Sequence, residues 1–266
     1  LVDRALEKSQ EYILHELRWK NRRHGYKKKD PTSQHLKTLQ TEGVVIYENQ
    51  GEITNAIISE AMKYSDLLRG MAKKNPFGRI AYAVPSDTPL WTWLKRYYEM
   101  YGLVDTASDY KGVQLEMTYC SLELATAEQA WFKNGYQDVG LETAPLAYMH
   151  YDYDTDIVKA VCYLSDVKTE NGAFHYVKGS HVWPRSTFQT ILFRDLDNRF
   201  VEMFGYDEAQ YYRGRFSSLE RRKELLELPK AFQGTTHFGD DIVKGSELSE
   251  FLLKRETSIE GRAGTF

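Results

Sequence analysis

The stretch that most restricts the fold is residues 157–164, Ile-Val-Lys-Ala-Val-Cys-Tyr-Leu, together with Tyr148-Met149-His150-Tyr151-Asp152-Tyr153-Asp154 just before it. An apolar run of this length, rich in β-branched residues and bounded by polar segments, reads as a buried strand. Side chains of an extended chain alternate between faces, so His150 and Asp152 point the same way and can close on one ion. An imidazole nitrogen and a carboxylate oxygen on one face are two of the three protein ligands in the 2-His-1-carboxylate site of non-haem Fe(II) oxygenases, which leaves the opposite face open. His-x-Asp alone also fits a surface His and Asp on an edge strand.

Residues 165–181 continue as Ser-Asp-Val-Lys-Thr-Glu-Asn-Gly-Ala-Phe-His-Tyr-Val-Lys-Gly-Ser-His. The pattern predicts the end of a strand, a polar turn closing on Asn171-Gly172, a second short strand, and a turn at Gly179-Ser180. From Tyr148 to His181 the chain resembles the phytanoyl-CoA dioxygenase family of Fe(II)/2-oxoglutarate-dependent oxygenases. Members of that family carry H-x-D, a buried strand ending in a Y-L-x-D-V-like sequence, N-G and G-S-H in this order; here the strand ends in Tyr163-Leu164-Ser165-Asp166-Val167. The resemblance implies a mainly β fold with flanking helices: a double-stranded β-helix, the jelly roll of two facing antiparallel sheets, covered by N-terminal helices. It also implies Fe(II) held by His150 and Asp152, with 2-oxoglutarate and O2 as cosubstrates. The implied reaction is hydroxylation of an unactivated carbon of a small organic molecule, with release of succinate and CO2. Relatives that halogenate lack the carboxylate ligand, so Asp152 points to hydroxylation. The family often places an amide on the strand before the His, which makes Gln129 a donor to the cosubstrate carboxylate; an ordinary polar strand residue is the other reading.

Gly261-Arg262-Ala263-Gly264-Thr265-Phe266 resembles a further family stretch, G-x-A-G-T-F. In the family it leads into an apolar strand, then the distal iron-binding His, then the Arg that pairs with the far carboxylate of 2-oxoglutarate. The sequence stops at Phe266, so the expectation is that the third ligand and this Arg lie beyond it. The other candidates for the third ligand are His175, His181 and His237. The first two sit too near the Asn-Gly hairpin to fold back across the site, and His181 suits a turn cap. His237 is far enough along to be the fallback.

Hydrophobic residues at 42% and aromatics at 14%, with 19 tyrosines, supply ample surface for a core and exclude a disordered chain. A formal net charge of -3 provides no global attraction to nucleic acid or an anionic membrane. Locally, Arg18, Lys20, Arg22, Arg23, Lys27, Lys28 and Lys29, interleaved with Trp19 and Tyr26, read either as an anion-binding segment or as a solvated helix end. Cys120 and Cys162 are too few for a disulfide framework and fit a reducing, cytoplasmic setting. No stretch approaches the length of an apolar membrane span, and the start lacks the layout of a signal peptide. A small-molecule substrate is the expected partner; nucleic acid is not.

Along the chain, the apolar spacing predicts helices over residues 1–20, from Pro31 through Leu39, over 53–69, and over 91–101 ended by Gly102. Short strands are expected at 43–47, at 80–84 before Pro85, and at 113–119, where apolar and polar residues alternate. Trp91, Trp93, Tyr97, Tyr98 and Tyr101 form an aromatic stripe that reads as core or as a pocket wall. Residues 133–145 form a long polar loop of the kind that rims active sites. Residues 183–199 and 217–227 are charged helices of an insertion that extends to about 256. One oxygenase domain over residues 1–266 follows, with residues 1–110 as helical cover and 111–266 as the jelly-roll core. Two other classes fit the same residues: a non-catalytic jelly-roll binding or scaffold module, and a cupin-type metalloenzyme that does not use 2-oxoglutarate.

Overall fold

Ser33 starts the first helix of the larger folded unit: its hydroxyl accepts the N–H of Leu36, and Pro31 just upstream cannot extend a helix backwards. The computed structural model describes residues 2–74, 80–124, 157–182 and 254–266. The chain divides into two compact units, one formed by residues 1–24, 132–157 and 182–256, the other by 25–131, 158–181 and 257–266. In the first unit the described structure is chiefly a 22-residue helix, α1 (Val2–Arg23), with Lys20, Arg22 and Arg23 in its last turn, where cations suit the helix dipole.

The second unit opens with α2 (Gln34–Glu42). Gly43, at φ 81°, ends it in the left-handed conformation that a glycine adopts without strain, and its N–H returns to Leu39 O at 3.1 Å. Residues 44–50 run extended to α3 (Glu52–Met62), followed by α4 (Ser65–Lys74). The single helix expected over 53–69 is therefore two. The N–H groups of Lys63 and Tyr64 bond three residues back, to Glu60 O and Ala61 O, which tightens the chain and breaks the regular ladder. The break brings the Tyr64 ring to 5.4 Å from that of Tyr82 and leaves Leu68 buried.

Strand β1 (Ile80–Ala83) pairs antiparallel with β2 (Ser121–Leu124), Ile80 opposite Leu124 and Ala83 opposite Ser121. Between them lie α5 (Pro89–Met100), with Pro89 at its first position, and α6 (Leu103–Lys111), turned on Gly102 at φ 63°. Among the described residues the stretch 113–119, predicted as a strand, has no ladder: the Leu115 N–H is taken by the Ser108 hydroxyl at 3.0 Å and the Val113 N–H by Ser108 O, and pairing begins at Cys120, whose carbonyl accepts the Val84 N–H at 3.0 Å. Among the described residues the strand expected at 43–47 is likewise reduced to one reciprocal pair, Tyr47 with Phe266, both bonds 2.8 Å.

Helix α3 packs on α5, α2 on α6, and α4 on the β1–β2 pair. Their shared core joins Ile53, Ile57, Ala61 and Leu68 to Ile80, Val84, Leu90, Trp91, Leu94, Tyr97 and Leu122. Each Ile, Leu or Val among them contributes about 1.5–3 kcal/mol on burial. The aromatic stripe of α5 is thus core at Trp91 and Tyr97, while Trp93, Tyr98 and Tyr101 pack at its margin. The Trp91 indole N–H, sealed inside, donates to Val84 O at 2.7 Å. A second two-stranded sheet joins β3 (Phe174–Val177) to β4 (Glu256–Ile259). The described residues are helical with these two small sheets; most of those assigned to a jelly-roll core, and those of the insertion at 183–253, lie outside the described residues.

Candidate functional site

His150, Asp152, Gln129 and the fallback His237 all lie outside the described residues, as does the loop at 133–145. What the structure describes is the frame on either side of them in sequence: residues 157–182, which follow the His-x-Asp stretch, and residues 254–266.

That frame is built on Tyr163. Its backbone N–H donates to Thr265 O at 2.9 Å and its carbonyl accepts from Gly264 N–H at 2.7 Å. The phenol reaches further along the same segment, donating to Ile259 O at 2.7 Å while accepting the Phe174 N–H at 2.9 Å. Four residues on, Val167 and Gly261 exchange backbone bonds of 2.8 and 3.0 Å. Between these rungs Asp166 accepts the Ala263 N–H at 2.9 Å. The segment that follows His-x-Asp and the Gly261–Phe266 stretch are therefore antiparallel neighbours. Tyr47 closes the other edge through its pair with Phe266, and Asn49 donates to Ala263 O at 2.8 Å. The Phe266 ring lies on Tyr97 at 4.1 Å and 17°.

The Asn-Gly turn forms at the place expected for it. Asn171 accepts the Lys168 N–H and donates to Asp166 O, folding a short helical turn that Gly172 leaves at φ 100°. Thr169 ties the turn to the neighbouring segment through its N–H and hydroxyl to Glu260, at 3.0 and 2.7 Å, and its hydroxyl to Ser258 at 2.9 Å. These two donors hold the Glu260 carboxyl below its ordinary range. The run 157–164 departs from the buried strand expected of it: Ile157, Val158 and Val161 are exposed, and pairing among the described residues begins at Tyr163, where Gly264 and Thr265 first supply partners. Cys162 packs against the core, and burial, with Cys120 nearby, pushes its thiol up to about 12, so it is an inert space-filling group at neutral pH.

Of the histidines, His181 is committed elsewhere. Its Nε2–H donates to Gln40 O at the end of α2 at 3.0 Å, and its ring covers Gly43, while Nδ1 is buried with no partner among the described residues. The bond differs from the turn cap expected of His181: it docks the Gly-Ser-His stretch on a helix terminus. His175 lies on β3. Among the described residues no three His, Cys, Asp or Glu side chains gather as a ligand set.

Two features had no local signature in the sequence. Asp109, 2% exposed, accepts the Lys29 and Asp30 N–H groups at 2.9 and 2.8 Å and the Tyr26 hydroxyl at 2.7 Å. Burial alone would raise its pKa, but these donors and nearby Lys28 outweigh it and hold the carboxyl below the usual range; the same pair, with burial, pushes the Tyr26 phenol up to about 12. Part of the basic segment is thereby fixed onto α6, with Lys29 also paired to Asp105 at 2.6 Å. The second is an open cavity of about 270 Å3 between the start of α3 and the end of α5, lined by Gln50, Glu52, Ile53, Trp93, Arg96, Met100 and Tyr101. The Arg96 guanidinium lies over Trp93 at 5.4 Å. An aromatic stripe alone does not say which of its members line a surface hollow.

No family model, curated protein or solved structure matches the chain.

Proposed function

We propose that this chain is an Fe(II)/2-oxoglutarate-dependent oxygenase that hydroxylates a small organic molecule, with His150 and Asp152 as two of its iron ligands and Gln129 as a donor to the cosubstrate. The observation that carries the reading is the antiparallel pairing of 163–167 with 261–265. It joins, edge to edge, the two stretches whose order and composition resemble the oxygenase family. A jelly roll needs such long-range antiparallel partners, and the side-chain bond of Asn49 to Ala263 O, 214 residues apart, ties a further segment to the same stretch. Short helical turns at Thr169–Asn171 and Ser180–Val182, in the stretch that carries the resemblance, are compatible with the reading.

The bound iron and 2-oxoglutarate would supply oxidative decarboxylation and an oxidant for an unreactive C–H bond, while the protein supplies ligands, orientation and exclusion of water. In this division of labour His150 gives a neutral nitrogen and Asp152 a carboxylate that keeps one position on the metal from an anion. Further along the sequence, the Tyr163 and Thr169 bonds hold residues 163–169 against 258–265.

The test is iron-dependent release of succinate from 2-oxoglutarate by the product of the complete reading frame. His150→Ala and Asp152→Ala are each expected to lower it by at least about 100-fold, in line with loss of a metal ligand. Turnover equal to wild type in either variant overturns the assignment of that residue. Absence of turnover in the wild type with iron bound overturns the oxygenase reading in favour of a binding module or a cupin-type enzyme.

A further inference from the structure

We propose that α1 lies along an anionic lipid surface, with Ile13, Leu14 and Leu17 inserted among the acyl chains and its neighbouring cations at the headgroups. The three aliphatic side chains are 55%, 45% and 58% exposed. At about 100° per residue they occupy a single arc of roughly 100° on the helix. Arg18 and Lys20, both exposed, flank this arc on its two sides, and Arg22 and Arg23 follow in the last turn. Trp19 lies beneath Arg23, whose guanidinium is 5.2 Å from the ring.

The combination selects the partner. Nucleic acid would engage the cations and leave three large aliphatic groups in water. A second copy of the helix would bury the aliphatics but leave Arg18, Lys20, Arg22 and Arg23, which outnumber Glu11 and Glu16 beside the arc, without matching counter-charges. A bilayer with anionic headgroups takes both, because long cationic side chains lay their stems on apolar surface and keep their charge at the interface. No described helix is long and apolar enough to cross a membrane, so α1 lies on the surface. The chain's net charge of -3 gives no long-range pull. The attraction is therefore local, reaching about one Debye length, roughly 8 Å at physiological salt.

The test is co-flotation of the full chain with vesicles of phosphatidylcholine alone and of phosphatidylcholine with phosphatidylserine. Wild type is expected on the anionic vesicles only, with partitioning that falls as salt is raised. Ile13→Ser/Leu17→Ser and Arg18→Glu/Lys20→Glu, each with the far-ultraviolet circular dichroism of wild type, are expected to lower partitioning by at least about tenfold, since each cation near such a surface contributes about fivefold. Should the serine pair fail to fold, the charge pair and the salt series decide. The proposal is overturned if wild type ignores anionic vesicles, if either folded variant partitions as wild type does, or if the serine pair abolishes self-association with no lipid binding to lose. Tighter binding to a DNA duplex than to the vesicles also overturns it.

Discussion

Tyr97 is wholly buried, yet its hydroxyl has no hydrogen-bond partner among the described residues. A phenol desolvated without compensation is a standing penalty, and burial with the neighbouring Cys162 thiol, Tyr101, Tyr47 and Tyr98 pushes its pKa up. Tyr97→Phe is therefore expected to leave stability unchanged or raise it by up to about 1 kcal/mol in urea titration, whereas most core substitutions destabilise. Asp109 is the opposite case, a buried carboxylate whose acceptors are used. Asp109→Ala is expected to destabilise by about 3 kcal/mol, because it strands the Lys29 and Asp30 N–H groups and the Tyr26 hydroxyl. The folded-state pKa of Asp109 lies below its unfolded value of about 3.9, so its stabilisation is complete above that value and is lost as pH falls through the lower, folded one. The gap in urea midpoint between wild type and Asp109→Ala should accordingly narrow as pH falls below about 4.

At the scale of elements, the end of α2 is a junction rather than a free terminus. A Cβ at Gly43 would stand 2.5 Å from the His181 ring, and the φ of 81° is itself unfavourable for any other residue. Gly43→Ala should destabilise by more than about 2 kcal/mol. In Gly43→Ala/His181→Ala the collision is gone and only the conformational cost of about 1 kcal/mol should remain beyond that of His181→Ala alone, a coupling that a double-mutant cycle measures. The helices were legible where their signals were local: the Pro31-Ser33 start of α2, and the apolar spacing and glycine stop of α5. The Lys63–Tyr64 break was not, because nothing in an unbroken apolar spacing shows that Tyr64 must meet Tyr82 on a strand downstream. Helix α6 was missed for a related reason: its buried face is Ser108 and Asp109, polar residues that a search for apolar periodicity passes over. Among the described residues 113–119 forms no ladder, and a side chain, Ser108, takes one backbone donor that a neighbouring strand would have used.

At the scale of the molecule, the Asn-Gly and Gly-Ser-His turns were readable from composition, and their positions hold. The partnership of 163–167 with 261–265 could not be read from spacing, since pairing partners in antiparallel sheets leave no local trace. The ligand assignment is a matter of sequence pattern, and the loss of succinate release expected in His150→Ala and Asp152→Ala is its measure. The lipid-facing helix rests on exposure, which only coordinates reveal: the apolar spacing of residues 1–20 was as compatible with a buried face.

Tyr47 and Tyr163 both take their backbone partners from residues 264–266. A ribosome making this chain exposes Tyr47 and Tyr163 to the cell long before it has synthesised what will pair with them. During that interval their donors and acceptors are open to any passing extended peptide, and chaperone occupancy during translation matters more here than for a domain that completes itself as it emerges.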